Sequence, residues 1–274
     1  MTAPLPANPP SARRRQTAAT LLIHVPRGQS DKVVRCVAAL QHPYRRVRYA
    51  QFSQRLGHDD EQETTAFVNN VAPLIQTLPR HQAVNVVLQT ASAAARYRHL
   101  LRELLGERNV TSGAPQAATA LLQRIAQYGL HGGVAHDLAH DCHLYITALS
   151  DGSTTLTSSV LLLPWRVTWS EARRDTGDTT AASFRAMEEA LGNLNLRTSL
   201  AVSTNNPTLG GVLQRQAATL GQEARAAATQ AQRCAQERGI TVSVLGRADP
   251  AIQQVGRMLV ARAFERGGRG GDDE

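Results

Sequence analysis

The chain runs through one order of elements twice. The first pass opens with the apolar run "TLLIHV", turns at "PRGQ", continues as "VVRCVAAL" up to Pro43, and returns as "YRRVRYAQF". The second opens with "HLYITAL", turns at "SDGS", continues as "LTSSVLLL" up to Pro164, and returns as "WRVTW". Short apolar or alternating runs between turn residues are strand signals. "ETTAFVNNVAPLIQTL" then stands opposite "DTTAASFRAMEEALGNL", both with apolar residues at helical spacing. "AVNVVLQTAS" stands opposite "TSLAVSTNN", and each leads into a further helix, "AAARYRHLLRELLG" or "PTLGGVLQRQAATLG". A last short strand and a closing helix, "PQAATALLQRIAQYG" or "DPAIQQVGRMLVARAFERG", end each pass. The second pass carries one extra helix, "EARAAATQAQRCAQERG". Each half therefore reads β-β-β-α-β-α-β-α: three antiparallel strands, then strands joined through helical crossovers. The shared Pro-aromatic-Arg step (Pro43-Tyr44-Arg45, Pro164-Trp165-Arg166) favours a duplication over two unrelated α/β domains with a common element order.

The boundaries follow. Residues 1–17 are rich in Pro, Ala and Arg and, with the tail 268–274, carry the composition of disorder. The first domain spans 18–130, a connection 131–142, and the second domain 143–267. A core is within reach at 42% apolar residues, but aromatics are only 4%, so it must be built from Leu, Val and Ala. The net charge is +8 and Lys32 is the only lysine. Arginine binds phosphate bidentately, so this balance suits a polyanionic partner. The three scattered cysteines, Cys36, Cys142 and Cys234, imply no disulfide framework and point to a reduced, cytoplasmic setting. No segment has the length and apolarity of a membrane span.

Ser150-Asp151-Gly152-Ser153 carries two readings. Asp-Gly between two apolar runs is a strong hairpin signal. A strand ending in Asp-Gly-Ser is also similar to the first-strand motif of the ribonuclease H-like superfamily. "AVSTNNPTLGGVL" resembles that family's fourth strand, whose end normally reads Thr-Asp-Ser, and "ITVSVLGRADPAIQQVGRMLVARAF" resembles its fifth strand, loop and final helix. The resemblance covers residues 143–267, with the first half a diverged duplicate. It implies tandem ribonuclease H-like domains, each a mixed sheet of three antiparallel strands then parallel strands, flanked by helices.

The resemblance also implies a chemistry: carboxylates from strand one, the first helix, the end of strand four and the final helix hold two Mg²⁺ or Mn²⁺ ions for phosphodiester hydrolysis. Asp151 stands at the first of these positions. The others hold Ser183, Asn205, and Gly256 or Arg257. An asparagine contributes no charge and an arginine repels a cation, so no cofactor is expected. An active enzyme would need Asp151, Glu188 and Asp249 to converge.

Two clusters remain. "PYRRVRYAQFSQR" alternates Tyr44, Arg46 and Arg48 on one strand face with Arg45, Val47 and Tyr49 on the other. The helix that follows the fourth strand adds Arg96, Arg98 and Arg102. Arginine beside an aromatic ring suits phosphate contact with base stacking. With Asn205 and Arg247 these form the candidate nucleic-acid-binding set. "HGGVAHDLAHDCHLY" gathers His131, His136, His140, Cys142 and His143, but matches no zinc spacing and reads as a solvated connection.

The expectation is a nucleic-acid-binding protein (DNA, RNA or hybrid) with catalytically degenerate ribonuclease H-like domains. The alternatives are a ribonuclease H-type endonuclease cutting RNA–DNA hybrid and a protein–protein scaffold. The apolar stripes on the Ala- and Gln-rich helices also allow a homo-oligomer face.

Overall fold

The computed structural model describes residues 18–26, 33–43, 46–55, 61–113, 116–133, 139–152, 154–170, 172–175, 178–214, 219–246 and 248–268. The first half comprises β1 (Ala19–His24), β2 (Val33–His42), β3 (Arg46–Arg55), α1 (Glu61–Gln76), β4 (Val84–Leu88), α2 (Ala91–Leu105), β5 (Val110–Ser112) and α3 (Gln116–Leu130). The second comprises β6 (Cys142–Ser150), β7 (Thr155–Leu163), β8 (Arg166–Trp169), β9 (Arg173–Asp175), α4 (Thr179–Gly192), β10 (Ser199–Thr204), α5 (Pro207–Leu213), α6 (Gln222–Glu237), β11 (Thr241–Val244) and α7 (Pro250–Gly268).

The protein is a mixed α/β structure with one large sheet. Its strand order is β11-β10-β6-β7-β8-β3-β2-β1-β4-β5, with β9 paired to β7 off this path. With β9 left aside, each half gives, outward from the β8–β3 junction, its third, second, first, fourth and fifth strand. In both halves the first three are antiparallel and the later two run parallel to the first. The two halves meet edge to edge. β3 pairs antiparallel with β8 in the register Arg46↔Thr168, Val47↔Val167, Arg48↔Arg166.

Side-chain alternation along the strands then builds the layers. On one face, Leu22, Val37, Ala39, Val47, Tyr49, Val160, Leu162 and Val167 pack with α3 and α7 into a core that crosses the junction. On the other face, β1, β2 and β3 bury Leu21, Ile23, Cys36, Leu40 and Phe52 under α1 and α2. There β6, β7 and β10 bury Leu144, Ile146, Leu161 and Val202 under α4, α5 and α6. On that second face, α1 lies over β3 and β2, and α4 over β7 and β6, leaving the strip around β8 without a helix above it.

Two elements differ from the sequence reading. The helix expected from Pro207 to Gly221 ends at Leu213. Asn206 caps it and proline occupies its first turn, but Gly210-Gly211 sits mid-helix, where glycine costs about 1 kcal/mol per residue relative to alanine. The strand β9 was not expected; it is a three-residue addition on the outer end of β7.

Candidate nucleic-acid interface

The β3–β8 junction sets three arginines side by side. Arg48 lies directly opposite Arg166, and Arg46 one step along opposite Thr168. Alternation puts all three on the helix-free strip, since Val47 and Val167 between them point into the α3–α7 core. Like charges directly opposite on a sheet are destabilising. The Arg166 pKa is lowered, first by burial and then by the charges of Arg46 and Arg48. His42, across β2 from Arg46, is lowered by burial and then by the same two arginines, while its Nε2 meets Thr77 Oγ1 at 3.0 Å. Among the described residues no carboxylate pairs with Arg46, Arg48 or Arg166.

The strip is the floor of an open groove. A hollow of about 660 Å³ is lined by Arg46, Arg166, Thr168, Ser170 and, on the α4 side, Arg173 and Glu189. Arg173 and Glu189 pair across solvent at 3.5 Å. Beyond Arg166 and Asn193 the groove continues into a second hollow of about 670 Å³, bounded by Pro164, Trp165 and the Asn195–Thr198 loop. Trp165 is 40% exposed and Leu196 67%. The two-residue turn between β7 and β8 has Pro164 at its first corner and Trp165 at its second, with φ 56°. That left-handed conformation normally calls for glycine. A bulky residue there is a genuine outlier.

The structure divides the basic set expected from sequence. Arg46 lines the groove and Arg48 stands beside it opposite Arg166, while Tyr44, Arg45 and Arg247 lie outside the described residues. Arg96 does not present its charge to a ligand: its guanidinium spans α2 to α1, meeting Glu63 Oε2 at 2.8 Å and the Arg55 carbonyl at 3.2 Å. Arg98 and Arg102 are exposed on α2 beside β4 and β5. β4 is three strand spacings from β3, roughly 14 Å along the sheet, so they form a separate patch. Arg166 was missed as a ligand group, because the sequence cannot show which strands of the two halves pair.

The proposed acids do not come together either. Asp151 is exposed in the β6–β7 hairpin, where its Oδ1 accepts the Thr154 N–H at 2.8 Å and its own N–H donates to the Thr154 carbonyl. Glu188 on α4 accepts from Gln230 of α6 at 3.0 Å. Asp249 caps α7 on the opposite face, its Oδ1 accepting the Ala251 N–H at 2.8 Å, and borders a small cavity with His143 and Tyr145 at the start of β6. From Tyr145 to Asp151 is six strand residues, about 20 Å.

The remaining positions of the family pattern are occupied by packing and backbone pairing. Ser183 is fully buried and donates to the Thr179 carbonyl at 2.7 Å. The Asn205 amide acts as a spare peptide unit on β6, accepting from the Ala148 N–H at 2.9 Å and donating to the Ala148 carbonyl at 2.8 Å. Gly256 lies so close to β6 that a Cβ would sit 2.3 Å from Thr147 Oγ1 and 2.8 Å from Tyr145 Cε1. These residues do not fit a two-metal carboxylate site. Among the described residues no group of three or more His, Cys, Asp or Glu is placed to hold a metal ion. Of the histidine-rich connection, His136 lies outside the described residues, and the His140 and His143 rings meet edge to face at 6.0 Å.

No family model and no curated protein matches the sequence. Among solved structures, the chain is similar to ribonuclease H1 from Halobacterium salinarum NRC-1, at 15% identity and TM-score 0.38, covering 46% of this chain and 98% of that one. It is similar to LC11-RNase H1, isolated from compost by a metagenomic approach, at 12% identity and TM-score 0.37, covering 46% and 99%. A Ppx/GppA family member of Aquifex aeolicus matches at 11% identity and TM-score 0.21, covering 91% and 98%. No helix among the described residues is long and apolar enough to cross a membrane.

Proposed function

We propose that this chain is a nucleic-acid-binding protein built from two duplicated ribonuclease H-like units, spanning 18–130 and 143–267, that does not use the two-metal hydrolysis of that superfamily. The observation that carries the reading is the arginine triplet Arg46, Arg48 and Arg166, which pairs with no carboxylate among the described residues and runs along an open groove lined by Arg46 and Arg166. Holding three like charges together is unfavourable in the free protein and is offset when a phosphate backbone enters. The loss of hydrolysis is supported by the four family positions: a hairpin cap, a buried serine, a backbone-paired asparagine and a glycine with no room for a side chain.

A gel-shift series with single-stranded DNA, duplex DNA and RNA–DNA hybrid at low salt tests the reading. Retention that weakens steeply with added salt is expected; no shift with any of the three overturns it. Incubation of hybrid with Mg²⁺ or Mn²⁺ is expected to leave it intact. Cleavage that disappears in Asp151→Asn would establish the endonuclease instead.

A further inference from the structure

We infer that the hollow between α2 and the β4–β5 edge of the sheet binds an alkyl-chain carboxylate, its chain on the apolar lining and its carboxylate on Arg98 and Arg102. The site lies apart from the β3–β8 arginines and does not rest on the nucleic-acid reading.

The apolar lining comes from incomplete cover. β4 is an inner strand, between β1 and β5. Its counterpart in the second half, β10, lies between β6 and β11 and buries Leu200 and Val202 completely, whereas Val86 and Leu88 of β4 are only partly buried. β5 beside them is three residues long and exposed throughout, so little of the sheet closes against the outer flank of α2. The hollow left there measures about 350 Å³ and is lined by Val86, Leu88 and Val110 from the strands and by Ala94, Leu101 and Leu105 from the helix. Small-molecule pockets start at about 300 Å³ and are mostly apolar, with a few placed polar groups.

The charge comes from α2 itself. Ala94, Arg98, Leu101, Arg102 and Leu105 recur at helical spacing along one flank. Ala94 to Leu105 is eleven helical residues, about 16 Å, so the flank can follow an extended chain. Arg98 and Arg102 stand one turn apart and exposed, and among the described residues neither pairs with a carboxylate. Like charges four apart on a helix are destabilising. Arg96 on the same helix is held by Glu63, so the arginine that faces α1 has an acid and the two that border the hollow have none.

Lining and charge together select the ligand. An anion without a chain leaves the apolar surface in water, and a chain without a charge leaves two guanidiniums unmatched. A carboxylate accepts the arginine fork through both oxygens. The described lining holds no aromatic ring, and its polar side chains are the two arginines and Ser112. That suits a flexible aliphatic chain and offers a nucleobase no face to stack on.

The test is titration calorimetry on the full chain with octanoate, hexanoate, acetate and uncharged octanol. Octanoate is expected to bind one per chain, each methylene beyond acetate tightening binding about 3-fold. The double variant Arg98→Gln/Arg102→Gln weakens octanoate about 10-fold and leaves octanol unchanged. Ala94→Leu keeps a good helix former while filling the hollow, and weakens both ligands about 10-fold. Val110→Gln on the exposed edge strand takes its place should Ala94→Leu melt below the parent, with a loss of about 3-fold for both. No octanoate binding, affinity independent of chain length, octanol bound as tightly as octanoate, or octanoate binding unmoved in the double variant overturns the inference. Displacement of octanoate by oligothymidine also overturns it, and gives the patch to the nucleic acid instead.

Discussion

Gly256 shows how closely α7 and β6 approach. At this position the helix backbone rests directly on strand side chains, with no gap for a larger residue. A Cβ at 256 meets Thr147 Oγ1 at 2.3 Å and Tyr145 Cε1 at 2.8 Å. Gly256→Ala gains about 1 kcal/mol of helix propensity but incurs about 1–3 kcal/mol of overpacking. A net loss of about 1 kcal/mol in denaturant unfolding is expected, partly recovered in the Gly256→Ala/Thr147→Ala double variant. Stability equal to or above the parent would mean the helix can retreat from β6. His42 gives a second test at this scale. Its pKa is lowered by burial and by Arg46 and Arg48, so the folded state keeps the ring neutral below its usual 6.5. The unfolded chain takes up that proton first, so the contribution is fully present above about pH 6.5 and is lost as pH falls toward the folded pKa. His24 shifts in the same direction. Stability measured from pH 7.5 to 5.5 should therefore fall less steeply in His42→Gln than in the parent, not vanish in its pH dependence.

At the scale of elements, the β3–β8 pairing creates the site and also strains it. Arg48 and Arg166 face each other across the ladder, with Arg46 beside them. Arg166→Gln removes a directly opposed like charge, a contact worth about 0.2–1 kcal/mol. The variant is expected to melt higher than the parent in low salt by a few degrees or less, with the gap closing as phosphate or sulfate is added to occupy the cluster. A lower melting temperature in low salt would mean that Arg166 is held by favourable contacts and that the cluster carries no stored repulsion. The strand order within each half was legible because hairpin turns and helical crossovers are local signals: Asp151-Gly152 sits in a turn and Asn206 caps a helix, as such residues do. The site was half legible. Arg46 and Arg48 stood out by alternation on one strand. Arg166 lies 118 positions from Arg48 along the chain, and only the register of two edge strands brings them together. Arg96 looked equivalent to its neighbours on α2, and its capture by Glu63 depends on how α1 packs, which no local pattern encodes.

The two halves share one sheet and one core face, although the sequence divides naturally at the histidine-rich connection. Each half closes its own core on one face of the sheet, but the other face is shared. Tyr145, Val160, Leu162, Val167 and α7 of the second half pack in one cluster with Val37, Val47, Tyr49 and α3 of the first. Burying a large aliphatic side chain is worth about 1.5–3 kcal/mol, and a domain's net stability is only about 5–15 kcal/mol. Separating the halves exposes several such residues at once, together with the unpaired β8 edge, which is a template for pairing with another strand. The full chain is therefore expected to unfold in a single transition by heat and by denaturant. A fragment of residues 139–268 should aggregate or self-associate through β8, and recover a monomeric fold only when co-expressed with residues 18–133. A soluble monomeric fragment with its own sharp melt, or two resolved transitions in the full chain, would show that the junction is a docking surface between autonomous domains. In that case the arginine groove would open and close with domain motion, and nucleic-acid affinity would depend on how the halves are tethered, as it should not in a continuous sheet.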